Sequence, residues 1–198
     1  FTRRLMEMDS AVVCHFGTPM DCMGNPISSD KKERTEQAKR RRTYVTDRDG
    51  KVEWNSQRDR RYTERLAGKV VDAYQRDTTV LANHLVCKVA WEELADRRGT
   101  NDPFRLVRTT RAARRIPRDA ALQRLERGME AVKRGADDGR WNQFMPSTAS
   151  EALNESIERM AGFHKTRALC TDGDDLVVED PRLCLYYQNR LETLDLEV

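Results

Sequence analysis

Three histidines are the side chains of this sequence best suited to acid–base chemistry, because imidazole titrates near neutral pH. His15 precedes Asp21 by six positions, which suggests a dyad, but it lies in the apolar run AVVCHF, where histidine more often has a structural role. His84 stands near the start of a predicted helix, where we expect it to bond a helix end or a carboxylate rather than act in catalysis. His164 follows a predicted helix. We therefore predict no catalytic residue in this chain.

The sequence also contains no motif for metal or cofactor chemistry. The histidines lack metal-ligand spacing, and the five cysteines include no Cys-x-x-Cys pair, which argues against a structural zinc site. Their odd number and wide spacing argue against a disulfide scaffold and are typical of a reducing cytosol. No phosphate-binding glycine loop or Gly-x-Ser-x-Gly motif occurs. We predict no cofactor and no metal.

Arginine clusters are the features that could bind phosphate groups. The tract from Lys39 to Arg42 is typical of nucleic-acid binding or nuclear import, although most such tracts are solvated loops, and Glu33 and Glu36 dilute this one. A second stretch, residues 104–118, contains no acidic residue. Its arginines recur every three or four positions, so that several should share one helical face: Arg105, Arg108, Arg111, Arg114, Arg115 and Arg118. This face is suited to phosphates of lipid headgroups or of a nucleotide tail; the alternative is a solvated helix paired with acids elsewhere.

Length and composition limit the class of protein. The chain has 198 residues, with 36 Lys and Arg against 33 Asp and Glu, a net charge of +3 and 38% hydrophobic residues. These values exclude wholesale disorder and a histone-like polyelectrolyte. No apolar stretch approaches the roughly 20 residues of a membrane-spanning helix, and no signal peptide is recognisable. Because the first residue is Phe rather than Met, we expect the chain to be part of a longer protein.

Hydrophobic periodicity and turn residues predict a mainly helical α+β fold. We expect a buried strand at residues 11–16, an exposed charged insertion at 30–42, and hairpins around Asp49-Gly50 and Asp172-Gly173. Helices are predicted from Ser56, at 83–97 with Gly99 as the stop, after Pro103, from Pro117 to Gly135, after the Thr148/Glu151 capping box, and from Pro181.

The last predicted helix carries the pair Tyr186-Tyr187. Helical spacing places Tyr187 with Leu183 and Leu191 on a core-facing side. Tyr186 and Arg190 should lie side by side on another face, four positions apart. Core packing is the default interpretation of this pattern, and the wall of a polar pocket is the alternative.

Several stretches together resemble large bacterial glycerol-3-phosphate acyltransferase-like proteins. The run VVCHFGTPMD at 12–21, followed by Gly24-Asn25, is similar to the late block of that family. NHLV at 83–86 is similar to its small-residue, Thr, His, aliphatic, Val stretch, although Asn83 stands where Thr is usual. LYYQNR at 185–190 is similar to its Tyr-Tyr-x-Asn-Arg element, and QRDRRYTE at 57–64 and YQRDTTVL at 74–81 lie between. The order and spacing of these stretches extend over almost the whole chain.

The resemblance implies an acyltransferase of phospholipid synthesis, cytoplasmic and peripheral on the inner face of the membrane. Such enzymes transfer a fatty acyl group from acyl-CoA or acyl carrier protein to glycerol 3-phosphate or lysophosphatidate, using an upstream His-x-x-x-x-Asp motif as the general base. This chain lacks that motif, since five residues separate His15 from Asp21. We therefore expect residues 1–29 to end the catalytic domain, 30–55 to form a charged insertion and hairpin, and 56–198 to form a helical C-terminal domain.

The same resemblance implies which residues contact substrate. Gly17 and Pro19 match the late block, which shapes the acyl or acceptor pocket in the family. Four further substrate-binding positions are implied by the other two motifs: His84, Tyr187, Asn189 and Arg190. Phosphate or an anionic membrane surface is expected to contact Arg105, Arg108, Arg111 and Arg115. No nucleic acid is expected as a partner on this interpretation. The alternatives are a basic nucleic-acid-binding module and a non-catalytic helical scaffold derived from the same family.

Overall fold

The computed structural model describes residues 12–198, and two compact units can be distinguished in it. One unit contains residues 15–77, and the other contains residues 12–14 together with 78–198. The start of the predicted strand at Ala11 and the prediction about an N-terminal signal peptide fall outside the described residues. The three predicted domain segments, 1–29, 30–55 and 56–198, remain a prediction.

The unit of residues 15–77 is built on two helices, α1 (Lys31–Thr43) and α2 (Ser56–Asp77). The side chain of Asp30 caps α1 by accepting a hydrogen bond from the Glu33 N–H at 2.8 Å. The apolar stripe of α2 is half-buried, and its Tyr62 ring packs edge-to-face on Tyr44, with centroids 5.3 Å apart. The loop that precedes α1 turns at Gly24, whose φ is +74°, a value that favours glycine.

The larger unit is organised around α3 (Ala82–Arg98), whose inward positions are fully buried. The other helices of this unit are α4 (Pro103–Val107), α5 (Arg118–Asp137), α6 (Ala149–Phe163) and α7 (Pro181–Gln188), with 3-10 turns at Arg111–Arg114 and Asn189–Leu191. α3 packs against α5, α6 and α7. Apolar residues surround α3 on nearly all sides, which is the pattern of a central helix.

Two small sheets complete the larger unit. Strand β1 (Thr79–Leu81) pairs in parallel with β3 (Asn142–Phe144). Strand β5 (Asp175–Val178) lies between β2 (Arg115–Pro117) and β4 (Leu169–Asp172), and both pairings are antiparallel. The β4–β5 pair is the hairpin predicted around Asp172-Gly173, with Gly173 at a φ of +62°. The short β1, β2 and β3 are stabilised by pairing between residues distant in sequence, which a local pattern does not reveal.

The fold class and most predicted helices are confirmed. The described chain is mainly helical α+β, with seven α-helices and a few strands in two small sheets. Gly99 ends α3 in the left-handed conformation at a φ of +60°, and Thr148 and Glu151 form the expected capping box of α6. None of the described helices is long and apolar enough to cross a membrane.

One local prediction is wrong, and two others are met only in part. Residues 12–16 of the proposed buried strand form no strand and are exposed. The charged insertion at 30–42 is largely the helix α1, because the Asp30 cap and its basic last turn stabilise a segment that has no apolar face to bury. The predicted hairpin around Asp49-Gly50 is reduced to a single bridge between Thr46 and Val52.

Candidate functional site

Three of the matched motif positions, His84, Tyr187 and Arg190, lie on elements that pack against one another: α3, α7 and the turn that follows α7. We refer to them as the α3–α7 cluster. His84 is the third residue of α3, and its Nδ1 accepts a 3.4 Å hydrogen bond from the Leu81 N–H. That bond places the ring proton on Nε2, since Nδ1 acts as the acceptor. Burial, with a smaller contribution from the positive charge of Arg190, lowers the pKa of His84 to about 4. The imidazole is therefore neutral at pH 7.

Tyr187, on α7, is the second member of this cluster. Its hydroxyl lies 2.8 Å from Nε2 of His164, and the two rings meet edge-on with centroids 5.7 Å apart. Burial, with smaller contributions from the neighbouring Cys87 and Tyr186, raises the pKa of Tyr187 to about 12. The phenol therefore stays protonated and serves as a hydrogen-bonding group. The spacing of Tyr187 with the core was predicted, but its bond to His164 was not.

Two buried cysteines line the inner side of the same helix pair. The Cys184 thiol donates a 3.2 Å hydrogen bond to the carbonyl oxygen of Cys87, and the Cys87 sulfur lies 3.6 Å from that of Met160. Burial and the neighbouring Cys184 raise the pKa of the Cys87 thiol well above its usual range. Both thiols are fully buried and therefore inaccessible to a substrate, so these cysteines contribute packing rather than chemistry.

Arg190 and Asn189 present the polar edge of the cluster. Both are exposed, in the 3-10 turn after α7. The Asn189 side-chain oxygen accepts a 2.8 Å hydrogen bond from the amide nitrogen of the buried Gln188. The positive charge of Arg190 contributes to the lowered pKa of His84. A guanidinium and an imidazole that carries its proton on Nε2 are both donors, so the two groups are suited to binding an anionic oxygen.

Gly17, Pro19, His15 and Asp21 all belong to the unit of residues 15–77. The carboxylate nearest to His15 is Asp77, at 3.7 Å from its Nε2, rather than Asp21. Asp21 instead holds its own loop, since one carboxylate oxygen accepts from the N–H groups of Met23 and Asn25 at 2.8 and 2.9 Å. Burial alone would raise the pKa of Asp21, but these hydrogen bonds outweigh it and lower the pKa. Asp21 is therefore a structural turn residue.

Gly17 lies against Asp77, so closely that a side chain at position 17 would collide with the Asp77 carboxylate. The carbonyl oxygen of Pro19 accepts a 2.9 Å hydrogen bond from the Ile27 N–H, which closes the base of the same loop. Both residues are exposed. Their local role is to shape this loop, and a substrate contact at either position remains a prediction.

The predicted single helical face of arginines is wrong. Residues 105–118 pass through α4, a 3-10 turn, β2 and the start of α5. Pro117 lies within the segment and has no backbone N–H to donate, so one continuous helix through it is disfavoured. Arg111 pairs with Glu179 at 2.9 Å, and Arg115 pairs with Asp172 at 2.6 Å and Asp175 at 2.8 Å. For Arg111 and Arg115, therefore, the alternative interpretation is correct: they pair with acidic residues elsewhere in the chain. Arg105 and Arg108 are exposed, and no ion pair of theirs is formed among residues 12–198.

Over the described part of the chain, no group of three or more His, Cys, Asp or Glu side chains is arranged to hold a metal ion. Sequence reasoning missed His164, Cys87 and Cys184 as members of the cluster. Helical periodicity could have predicted the two cysteines, because residues three positions apart share a helical face. Cys184 and Tyr187 have this spacing on α7, and His84 and Cys87 have it on α3. Comparison of the chain with protein-family models, with curated proteins and with solved structures finds no match.

Proposed function

We propose that this chain is the C-terminal portion of a glycerolipid acyltransferase-type protein, which transfers a fatty acyl group from acyl-CoA or acyl carrier protein to glycerol 3-phosphate or lysophosphatidate. One observation supports the proposal most directly. His84 and Arg190 belong to two motif matches that are about a hundred positions apart, yet α3, which carries His84, packs against the turn that carries Arg190, and the charge of Arg190 contributes to the lowered pKa of His84. Tyr187, from the second motif, lies beside Cys87 one turn further along α3.

The chemistry of the cluster fits binding rather than proton abstraction. A general base for a hydroxyl works best with a pKa near the working pH, whereas the pKa of His84 is about 4. Its Nδ1 is also occupied by the Leu81 N–H. We therefore assign His84, Tyr187, Asn189 and Arg190 to substrate binding, with Arg190 as the contact for an anionic group, and place the catalytic base of the reaction outside this chain.

The test is an acyl-transfer assay with palmitoyl-CoA and glycerol 3-phosphate, in which lysophosphatidate is measured by mass spectrometry. The 198-residue chain should form no product, and a protein that carries it behind a His-x-x-x-x-Asp segment should form product. In that longer protein, Arg190→Gln should raise KM for the phosphorylated acceptor about tenfold, the scale of one charge-assisted hydrogen bond. Arg182→Gln, on the exposed start of α7, is the matched control and should leave KM unchanged. Product formation by the 198-residue chain, or equal effects of the two variants, would contradict the proposal.

We place the protein in the cytoplasm, peripheral on the inner face of the membrane, with α4 as the contact. Phe104 is 76% exposed and neighbours the exposed Arg105, with Arg108 at the end of the same short helix. An exposed aromatic ring beside cations is suited to the interface of an anionic bilayer. Replacing Arg105 and Arg108 with Glu should reduce sedimentation with phosphatidylglycerol vesicles at low salt, whereas Arg111→Glu, which removes a charge already paired with Glu179, should reduce it less.

Nucleic-acid binding is the second candidate, and α1 is the observation that favours it. This helix has no buried residue and ends in Arg40, Arg41 and Arg42. A helix that is polar on all sides and basic at one end can contact a phosphate backbone. Fluorescence anisotropy with labelled RNA and DNA distinguishes the two candidates, because nucleic-acid binding would weaken steeply with salt and require the Lys39–Arg42 tract.

A further inference from the structure

A pocket with a volume of about 560 Å³ lies in the larger unit, where the second half of α3 faces the start of α4, α5 and the end of α7. This volume is within the range of small-molecule sites. Two of the wall residues are large side chains that are almost completely buried, Trp91 on α3 at 8% exposed and Gln188 on α7 at 5%. The pocket therefore extends from the surface to residues of the core.

Trp91 and Gln188 each leave one polar atom without a partner. The indole N–H of Trp91 donates to no acceptor within residues 12–198, and the Gln188 amide nitrogen donates to Asn189 while its Oε1 accepts no hydrogen bond there. Among the non-exposed residues of this range, Ser156 Oγ is the only unpaired side-chain polar atom that solvent does not reach. Solvent therefore reaches the unpaired atoms of Trp91 and Gln188, and the pocket is the space that both residues line.

The charges in the wall favour a cation as the ligand. Lys88 pairs with Glu92 at 2.7 Å, and Arg124 pairs with Glu92 at 3.1 Å and with Asp96 at 2.6 Å, so both cations are already compensated. Glu192 is exposed and forms no ion pair within residues 12–198. Three carboxylates thus line the pocket against two cations. An anionic ligand would have to break an existing pair, whereas a cation would compensate Glu192.

We propose that this pocket binds a hydroxylated amine of about the size of an amino sugar. The ammonium group is held by the carboxylate of Glu192 and by Oε1 of Gln188, four positions apart, and an oxygen of the ligand accepts a hydrogen bond from the indole N–H of Trp91. Asn189 also lines the pocket, but it is not one of these contacts. The site therefore does not rest on the acyl transfer proposed for the α3–α7 cluster.

Other classes of ligand match these groups less well. An ammonium group has three donors and no acceptor, so it suits the carboxylate of Glu192 and the carbonyl oxygen of Gln188. A polyamine without oxygen would leave the N–H of Trp91 unpaired. A neutral sugar would supply the oxygen but would leave the charge of Glu192 uncompensated. A ligand with both an ammonium group and a hydroxyl group satisfies all three.

The test compares glucosamine with glucose, which share a ring and differ by an ammonium group in place of one hydroxyl. Both are titrated at about pH 6.5, where the amine is protonated, and at one chloride concentration into the 15N-labelled 198-residue chain. The indole N–H signal of Trp91 is followed by NMR and is assigned by its absence in Trp91→Phe. Glucosamine should shift this signal and should bind about tenfold more tightly than glucose, the scale of one charge-assisted hydrogen bond.

Three variants assign the contacts. Glu192→Gln, on an exposed turn, should weaken glucosamine about fivefold and leave glucose unchanged, whereas Glu158→Gln, at an exposed position of α6 outside the pocket, should change neither. Trp91→Phe keeps a buried ring and should weaken both sugars, as measured on the amides of α3 and α7; the dispersion of its spectrum checks that it is folded.

Three results would overturn the proposal. The first is an indole signal of Trp91 that glucosamine does not shift. The second is equal affinity for glucose and glucosamine, because the ammonium group would then not be recognised. The third is an equal effect of Glu192→Gln and Glu158→Gln on glucosamine, because the attraction would then come from the overall charge of the chain rather than from this pocket.

Discussion

The hydroxyl of Tyr187 lies 2.8 Å from Nε2 of His164, which joins α7 to the segment that follows α6. Each side chain covers part of the other, since their rings also meet edge-on. Twenty-three positions and a β-hairpin separate the two residues in the chain. The contact therefore secures the end of α6 against the helix that carries the candidate site.

Removing this hydrogen bond should destabilise the larger unit. Tyr187→Phe leaves the ring in place and deprives His164 of its partner, so we expect a loss of about 1 kcal/mol in the free energy of unfolding. Urea denaturation followed by circular dichroism measures the change. Tyr186→Phe is the matched control, because that neighbouring ring is 68% exposed, and it should alter stability by less than about 0.5 kcal/mol. Equal losses from both variants would show that the Tyr187–His164 bond contributes nothing specific.

The depressed pKa of His84 should make stability fall in acid. Its pKa is about 4 in the folded chain against 6.5 for an ordinary histidine, so the unfolded chain binds the additional proton between these values. The contribution of His84 to stability is therefore complete above about pH 6.5 and is lost as the pH falls towards 4, on the order of 3 kcal/mol in total. His84→Gln should remove this part of the pH dependence of urea unfolding.

Arg190 provides a direct check on the cause of that shift. Arg190→Gln removes the positive charge that lowers the pKa of His84 after burial, so the pKa should rise while remaining below 6.5. NMR titration of the imidazole C–H protons measures it, with the His84→Gln spectrum identifying the resonance. Arg182→Gln should leave the titration unchanged. If the pKa of His84 is unaltered in Arg190→Gln, the two side chains do not interact electrostatically, which would contradict a shared site.

Arg124 should be one of the most important charged residues for stability. Its guanidinium donates to Glu93 and Asp96 at 3.1 and 2.6 Å, and to Glu92 at 3.1 Å, so that one cation on α5 compensates three carboxylates on α3. Arg124→Gln would leave partly buried carboxylates without that cation, and we expect a loss of about 2 kcal/mol, less than for a fully buried pair because Asp96 is 66% exposed. Arg134→Gln, in an exposed pair on the same helix, should cost under about 0.5 kcal/mol in the same denaturation experiment.

Two helical glycines should respond in opposite directions to the same substitution. Gly135 on α5 is covered by the ring of Trp141, whose Nε1 donates to the Val132 carbonyl at 3.0 Å, and a methyl group there would collide with the indole. Gly162 on α6 faces open space. We expect Gly135→Ala to lower the thermal midpoint of unfolding and to cost about 2 kcal/mol in the free energy of unfolding. Gly162→Ala should raise the midpoint slightly, because alanine has a better helix propensity than glycine. A stabilised Gly135→Ala variant would show that Trp141 adjusts without cost.

The helices of this protein could largely be predicted from local residue patterns. The periodicity of α3, the capping box at Thr148 and Glu151 and the stop at Gly99 each act within a few residues, so the sequence predicts them without knowledge of the rest of the fold. The apolar run at 11–16 predicts a strand that residues 12–16 do not form, because an apolar run becomes a strand only if a neighbouring strand is available to pair with it. The helix at 31–43 has no apolar stripe, so hydrophobic periodicity could not predict it from the charged residues of this segment.

The candidate site shows the limit of such patterns. Helical spacing correctly placed Tyr187 on the inner side of α7 and Tyr186 outside, since that depends only on the period of the helix. The partner of Tyr187 and the acids that pair with Arg111 and Arg115 come from segments about 20 to 70 positions away. Sequence spacing contains no information about which distant segments meet.

The sequence by itself determined the helical α+β class, the caps and stops of several helices and the inward faces of the amphipathic helices, because these follow from backbone geometry and hydrophobic burial within a few turns. Only the tertiary structure decided the chemical state of the side chains. Burial between α3 and α7 made His84 neutral, and pairing with the β4–β5 hairpin turned two arginines of a supposed phosphate-binding face into internal ion pairs. Solvation and charge pairing depend on what packs alongside a residue, and that is set by the whole fold.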